Sequence, residues 1–501
     1  MVSAMIGLCA FTVHYIRSPY RKVPPGPRGV PILGNLFQLS GYLYSTFNTW
    51  QKQFGDLFYL NVAGQSMLVI SSGKVAYDLL DRRSANYSER PRLIVAGEIL
   101  CGGLSFGFNP YNSVTRKMRK AVHEALNNHT ARQYHPMQVT EAILLTQSLL
   151  DNPEAWKAHI RRSAASFIMS MMYDHPPVLS ESNLYIQHIN ENMERLSHAC
   201  RPGAHLVELF PWMLYIPQRF AKWKREANHW FKHDSQFFGG LVNDVAKRTE
   251  TGNVQPCFTT SLIENADESK LSELEIAWTA GGMFGAGSET TASVMEWFLL
   301  AMIAFPDVQR RAQEELDTVV GHSRAPTFAD FEHLPYIQAT VRESLRWRAT
   351  VPLGLPHCSL QDDWYEGMFI PKGTICIANV QYMNRDPELF GPDAADFNPG
   401  RYLDEAGGIK PNSVEDHFSF GFGRRNCLGR HVGSNSLFID IAALLWAAKI
   451  TRVKDDAGPL DLDGFVDDGM VIHPVPFSCD IQPRFPDVSQ ILSQEKEHLM
   501  H

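Results

Sequence analysis

The chain has 501 residues, 44% hydrophobic and 20% charged, with 29 Phe and 10 Trp, enough apolar mass for a large core and the wrong composition for a disordered, collagen-like or coiled-coil protein. Lys and Arg number 46 against 54 Asp and Glu, a net charge of −8, so no global basic field exists for nucleic acid. Eight cysteines without a C-x-x-C pair are too sparse for a disulfide scaffold or a zinc ribbon and point to a reducing compartment.

Residues 2–16 are apolar apart from Ser3, Thr12 and His14. As a helix they would reach roughly 22 Å, short of the roughly 30 Å hydrocarbon core. Arg17, Arg21, Lys22 and Arg28 follow, so residues 1–23 are expected to form a short membrane anchor with a basic flank that holds the rest on the cytoplasmic side. No basic stretch precedes the apolar run and no small-residue cleavage site ends it, against a removed signal peptide. Pro24-Pro25-Gly26-Pro27-Arg28-Gly29-Val30-Pro31 reads as a stiff spacer. With no repeat or second linker, residues 24–485 read as one large domain and 486–501 as a polar tail.

Residues 56–62 and 67–70 flank Ala63-Gly64-Gln65-Ser66 as a hairpin would. Gly103-Leu104-Ser105-Phe106-Gly107 fits the Gly-x-Ser-x-Gly pattern of a hydrolase nucleophile, but no strand-to-helix context surrounds it. Helical patterns dominate residues 114–348, among them 140–150 and 308–320, the latter opening at Pro306-Asp307. Short extended segments return after Pro352 and near the C-terminus, so the chain is expected to be mainly α with small β-sheets.

One long helix is predicted over residues 272–305, opened by the capping box Ser272-Glu273-Leu274-Glu275 and stopped by Pro306. It is apolar on all faces, yet Glu273, Glu275, Glu289 and Glu296 interrupt every 20-residue window, which favours a buried core helix over a membrane span. Gly281, Gly282, Gly285 and Gly287 each cost about 1 kcal/mol relative to Ala in a helix interior. Either another helix crosses closely there, or the helix kinks over a flat ligand with the acid–alcohol pair Glu289 and Thr290 at the kink.

Phe420-Gly421-Phe422-Gly423-Arg424-Arg425-Asn426-Cys427-Leu428-Gly429 carries the strongest signal. Gly421 and Gly423 permit a tight turn without Cβ atoms in the way of a large cofactor. A helix predicted over residues 429–449 places Cys427 near a positive helix end among cationic neighbours, an arrangement that lowers a thiol pKa and prepares a thiolate metal ligand.

This segment resembles the haem-binding signature Phe-x-x-Gly-x-Arg-x-Cys-x-Gly of the haem-thiolate monooxygenases, the cytochrome P450 family. Ala286-Gly287-Ser288-Glu289-Thr290-Thr291 resembles its oxygen-activation motif, Glu343-Ser344-Leu345-Arg346 its Glu-x-x-Arg motif, and Phe397-Asn398-Pro399-Gly400-Arg401-Tyr402 its Pro-x-Arg segment. The resemblance covers essentially the whole chain after the anchor. It implies a cytochrome P450-like fold, haem b with Cys427 as thiolate ligand, Arg119, His357 and Arg425 as cofactor contacts, and a buried triad of Glu343, Arg346 and Arg401. The family's Trp-x-x-x-Arg is here Thr115-Arg116-Lys117-Met118-Arg119, and its Pro-Glu-Arg is Pro399-Gly400-Arg401, so the Trp and Glu roles are unfilled.

By the same resemblance, Thr290 holds a water or dioxygen, Glu289 feeds protons, and the thiolate's electron push favours O–O cleavage. No strand followed by Gly-x-Gly-x-x-Gly is evident, so electrons are expected from NADPH-cytochrome P450 reductase, with cytochrome b5 as a further candidate, docking on Lys117, Lys120, Arg424 and Arg430. An apolar pocket is expected from Phe106, Phe108, Leu206, Met283, Phe284, Val351, Leu353 and Phe477. The loops around Pro202 to Pro211 resemble fungal members that tailor secondary metabolites at the endoplasmic reticulum membrane. A terpenoid is the first expectation for the substrate, and an aromatic, indole or polyketide scaffold the alternative. A haem carrier or an oxygen-independent isomerase or dehydratase would not need the Glu289–Thr290 pair.

Overall fold

The computed structural model describes residues 17–39, 41–180, 182–201, 203–411, 416–453 and 458–500; the anchor expected at 2–16 lies outside the described residues. Two compact units interleave along the chain, Met1–Pro91, Pro352–Met383 and Gly421–Asn426 forming one and Arg92–Val351, Asn384–Phe420 and Cys427–His501 the other.

The first unit contains helix α1 (Leu43–Phe54) and strands β1 (Leu57–Val62), β2 (Gln65–Ile70), β3 (His357–Cys358), β4 (Asp363–Tyr365), β5 (Met368–Ile370) and β6 (Ile375–Ala378). The expected hairpin forms, but its connection is two residues, because Ala63 and Gly64 both adopt positive φ (50° and 92°) and so match the twist of the flanking strands. β2 pairs in parallel with β6, and β6 antiparallel with β3, giving the order β1-β2-β6-β3. α1 buries Phe47 against Phe58 of β1.

The second unit is helical. Its main elements are α2 (Ser113–Leu126), α3 (His135–Asp151), α4 (Trp156–Tyr173), α5 (Leu184–Cys200), α6 (Lys222–Glu250), α7 (Glu273–Ala304), α8 (Pro306–Val319), α9 (Pro335–Trp347), α10 (Arg430–Ala447) and α11 (Val488–Met500). Two antiparallel pairs complete it: β7 (Ala448–Arg452) with β10 (Cys479–Pro483), and β8 (Phe465–Asp467) with β9 (Ile472–Pro474). The largest core joins Leu145 and Leu149 of α3, Trp297 to Leu300 of α7, Trp347 of α9 and Leu444 to Trp446 of α10, each large side chain contributing about 1.5–3 kcal/mol on burial.

The capping box predicted for α7 is present: Glu275 N–H donates to Ser272 Oγ and Ser272 N–H to Glu275 Oε2. Helical hydrogen bonding then continues unbroken through all four glycines. A Cβ at Gly281 would sit 2.6 Å from the Phe238 ring, one at Gly287 2.6 Å from Ile168 Cδ1, and one at Gly285 would collide with Met193. Three of the four glycines therefore serve close helix crossings with α6, α4 and α5. Gly282 does not; its nearest neighbour would be Phe106 at 3.8 Å. No single helix among the described residues is long and apolar enough to cross a membrane.

Candidate active site

Cys427 follows a tight loop in which Gly421 and Gly423 adopt positive φ (73° and 51°), and a Cβ at Gly423 would collide with the Leu80 carbonyl. Cys427 N–H donates to the Phe420 carbonyl at 2.8 Å, and the Gly429 N–H is directed at its sulfur. The residue keeps accessible surface, although its thiol feels strong burial. Burial raises the thiol above its usual value, against the Gly429 hydrogen bond and the charges of Arg119 and Arg430. This corrects the lowered pKa expected from the helix end and its cationic neighbours, because desolvation outweighs them here.

On α7, Gly282, Ala286 and Thr290 lie four apart on one face and keep accessible surface, while Ala280, Gly281, Met283, Phe284, Gly285, Ser288 and Ala292 are buried. The Thr290 hydroxyl donates to the Ala286 carbonyl at 2.8 Å. Glu289 Oε1 accepts from His473 Nε2 at 2.9 Å and lies 3.7 Å from Arg161. Burial alone would raise this carboxyl, but the His473 hydrogen bond and the Arg161 charge hold it below its ordinary value.

The approach to the cysteine loop is anchored by a buried ion cluster. Arg346 donates to both oxygens of Glu343 at 2.7 and 2.8 Å, and Arg401 to Glu343 Oε1 at 3.2 Å. Arg346 also donates to the carbonyls of Asn384, Ala394 and Asp396. Asn384 in turn accepts from Phe418 N–H at 2.8 Å, and Ser419 donates to the Leu345 carbonyl. The triad thus fixes residues 384–401 and 418–420, the segment leading into Cys427.

The remaining candidates fall in both units. In the second, Arg119 is deep enough for burial to lower its pKa, and its electrostatics couple it to Tyr111 and Cys427. In the first, Arg425 is buried and donates to the Ser88 carbonyl at 2.8 Å. His357 is also buried, its Nδ1–H donating to the Tyr87 carbonyl at 2.7 Å. Burial, with Arg90 and Arg425 nearby, drives its pKa to about 3, so the ring is neutral and not the basic group expected there. An accessible cysteine whose sulfur has an N–H donor directed at it and a buried cation coupled to it fits a cofactor bound through thiolate and carboxylate groups, and haem is such a cofactor.

Among the expected docking cations, Lys120 is compensated by Glu124 and Glu268, whereas Lys117 and Arg430 donate to backbone carbonyls. One expected pocket residue belongs to the core instead: Phe284 is fully buried against Tyr173. Half-buried Phe477 packs on Trp156 with ring centroids 4.7 Å apart. Ser105 lies in turns that follow the helical segment Ile94–Leu100, without the strand a nucleophile elbow requires.

Sequence reasoning missed His473, Lys157 and Arg161. The available signal was the pair Glu289 and Glu296, seven apart on one face of a buried helix, because buried carboxylates need cationic partners.

A family model described as Cytochrome P450 matches residues 24–479. A cytochrome P450 monooxygenase of Armillaria gallica is 53% identical over 506 aligned residues, covering 100% of this chain and 97% of that protein. Cytochrome P450 monooxygenase 58 of Postia placenta is 45% identical across 98% of this chain and 95% of its own length. Cytochrome P450 monooxygenase iboC of Amanita muscaria is 39% identical across 96% and 94% respectively.

Proposed function

The chain belongs to the cytochrome P450 family, a family of oxidoreductases with haem held by a Cys thiolate, and on that premise we propose that it uses dioxygen and electrons from a separate NADPH-dependent reductase to oxidise an apolar small molecule of terpenoid class. When bound, the haem supplies dioxygen activation and one-electron chemistry, aided by the thiolate's electron push. Cys427 is the proposed ligand, its negative sulfur stabilised by the Gly429 N–H, Arg119 and Arg430. Arg119 and Arg425 are the proposed partners of the cofactor's carboxylates.

Thr290 is proposed to hold a water or dioxygen on the accessible face of α7, and Glu289 to move protons towards it. Retention of this acid–alcohol pair favours oxygen activation over an oxygen-independent isomerase or dehydratase. Apolar residues in the expected pocket segments, Phe106 and Met283 among them, support an apolar substrate. Lys117, Arg424 and Arg430 are the proposed docking cations for the reductase. Attachment to the endoplasmic reticulum membrane, with the enzyme facing the cytoplasm, is supported by the apolar stretch at residues 2–16 with its basic flank. Exposed apolar side chains also support it, Ile32 (92%) and Phe37 (73%) in the first unit, and Trp212 (64%), Tyr215 (89%) and Phe220 (71%) in the second.

The observation that carries this reading is the accessible Cys427 in its positive-φ loop, with the Gly429 N–H aimed at its sulfur. Its test is the carbon-monoxide difference spectrum of the reduced, haem-loaded protein, followed by product analysis under labelled dioxygen with a reductase. A thiolate-type spectrum that Cys427→Ser abolishes is expected. A spectrum unchanged by Cys427→Ser, or product without labelled oxygen, overturns the assignment.

A further inference from the structure

Glu289 does not stand alone. His473, on β9, is 1% exposed, and both of its ring nitrogens face carboxylates: Nε2 lies 2.9 Å from Glu289 Oε1 and Nδ1 3.0 Å from Glu296 Oε2. Two carboxylate acceptors require two N–H donors, which only the imidazolium provides. Asp468 lies 3.6 Å from Nε2. From α4, Arg161 Nε donates to Glu296 Oε1 at 3.3 Å, and Lys157 lies 3.5 Å from Glu296 Oε2. The cluster therefore sets three cations (His473, Arg161, Lys157) against three carboxylates (Glu289, Glu296, Asp468). Its backbone is pinned as well: Ser293 Oγ and Trp297 Nε1, both on α7, donate to the Ile472 carbonyl at 2.7 and 3.4 Å, and Ile472 N–H donates to the Thr350 carbonyl at 2.9 Å.

We propose that His473 is the positioning residue for the acid of the acid–alcohol pair: as an imidazolium anchored by Glu296, it grips Glu289 Oε1 and keeps that carboxyl ionised, so that Oε2 is the oxygen available to exchange protons. The inference rests on the function proposed above. His473 is not itself the proton donor, because burial alone would lower its pKa but the hydrogen bonds to Glu289 and Glu296 push it up to about 9, while Glu289 is held below its ordinary value; transfer from ring to carboxylate is uphill. The two acidities define a window in which the pair exists. It forms once Glu289 ionises and dissolves as pH rises through about 9, where His473 loses its proton.

Product formed per electron consumed, measured against pH, reads this arrangement. In the unaltered protein the profile is expected to be bell-shaped, with its alkaline limb near 9. In His473→Gln, burial of Glu289 is offset only by the charges of Arg161 and Lys157, so the acidic limb moves up by about one pH unit or more and electrons are diverted to peroxide about tenfold more. Glu296→Gln removes the anchor of Nδ1 and moves the alkaline limb down. Independently of turnover, histidine nuclear magnetic resonance of the reduced, carbon-monoxide-bound protein is expected to show one ring still protonated at pH 8 and absent from His473→Gln spectra.

A thiolate-type carbon-monoxide spectrum in every variant keeps failure here separate from failure of the enzyme assignment. With that spectrum present, an unmoved acidic limb in His473→Gln, or a His473 ring neutral at pH 7, overturns the proposal. Should His473→Gln not fold, Glu296→Gln and the resonance titration of the unaltered protein decide it alone.

Discussion

Asp440→Asn is expected to stabilise the protein, increasingly so as pH rises. Asp440, on α10, lines a small polar cavity with Gln138 and Glu141 of α3, Ser163, Ala164 and Phe167 of α4, Thr291 of α7 and Ser436. Burial, with Glu141 close by, holds the Asp440 carboxyl well above its ordinary range, and Glu141 itself is pushed up to about 7 by burial, against Ser166 and Arg162. Gln138 Oε1 accepts no hydrogen bond among the described contacts, and Glu141 Oε2 has only Arg162 at 3.5 Å, so this cavity has room for a donor, and a carboxylate is the wrong group for it. An acid whose pKa rises on folding stays protonated in the fold while the unfolded chain ionises. Stability is then fully present only below the unfolded pKa and falls by about 1.4 kcal/mol for each pH unit above it, until the folded pKa is reached. Above the unfolded pKa that penalty grows with pH, whereas Asn pays none and supplies an N–H donor in the same volume. The assay is equilibrium urea unfolding of the haem-loaded protein and its Asp440→Asn variant at pH 5, 6 and 7. A stability difference that does not grow with pH, or a variant less stable at pH 7, would refute the reasoning.

Glu343→Gln leaves the buried guanidinium of Arg346 without its counter-charge and is expected to cost about 3–5 kcal/mol, seen as loss of haem-loaded protein in expression and of the thiolate-type spectrum; normal loading would contradict it. Gly281→Ala forces the Phe238 ring aside and is expected to cost about 1–3 kcal/mol, whereas Gly282→Ala, one residue away, meets only an ordinary contact with Phe106 and gains about 1 kcal/mol of helix propensity. Thermal denaturation of the two variants gives opposite signs if three glycines serve packing and the fourth borders open space. Thr290→Ala is expected to leave the carbon-monoxide spectrum in place while lowering product per electron by about a hundredfold and raising peroxide; unchanged product per electron would remove Thr290 from the proton path.

Much of the local structure was legible in the residues. Ser272 and Glu275 mark the start of α7 and Pro306 its end, because a cap satisfies backbone groups within four positions of itself. Ala63-Gly64 makes the turn of β1 and β2, and residues 420–429 form the loop that presents Cys427, again through backbone preferences carried by the residues themselves. The expected triad of Glu343, Arg346 and Arg401 forms in the structure; its first pair is three apart on one helix, and the motif order supplied the third member.

Tertiary structure alone decided the charges. The neutrality of His357, the raised thiol of Cys427, the raised carboxyl of Asp440 and the coupling of Glu289 to His473, 184 positions away, depend on how much water burial removes and which charges burial brings near. Neither quantity belongs to a residue or to its sequence neighbours; both arise only when segments far apart in the chain are packed within a few ångströms. Likewise the composition of α7 announced four glycines, but which face each occupies, and hence whether it admits a neighbouring helix or borders open space, was settled by the packing of Phe238, Met193 and Ile168 against it.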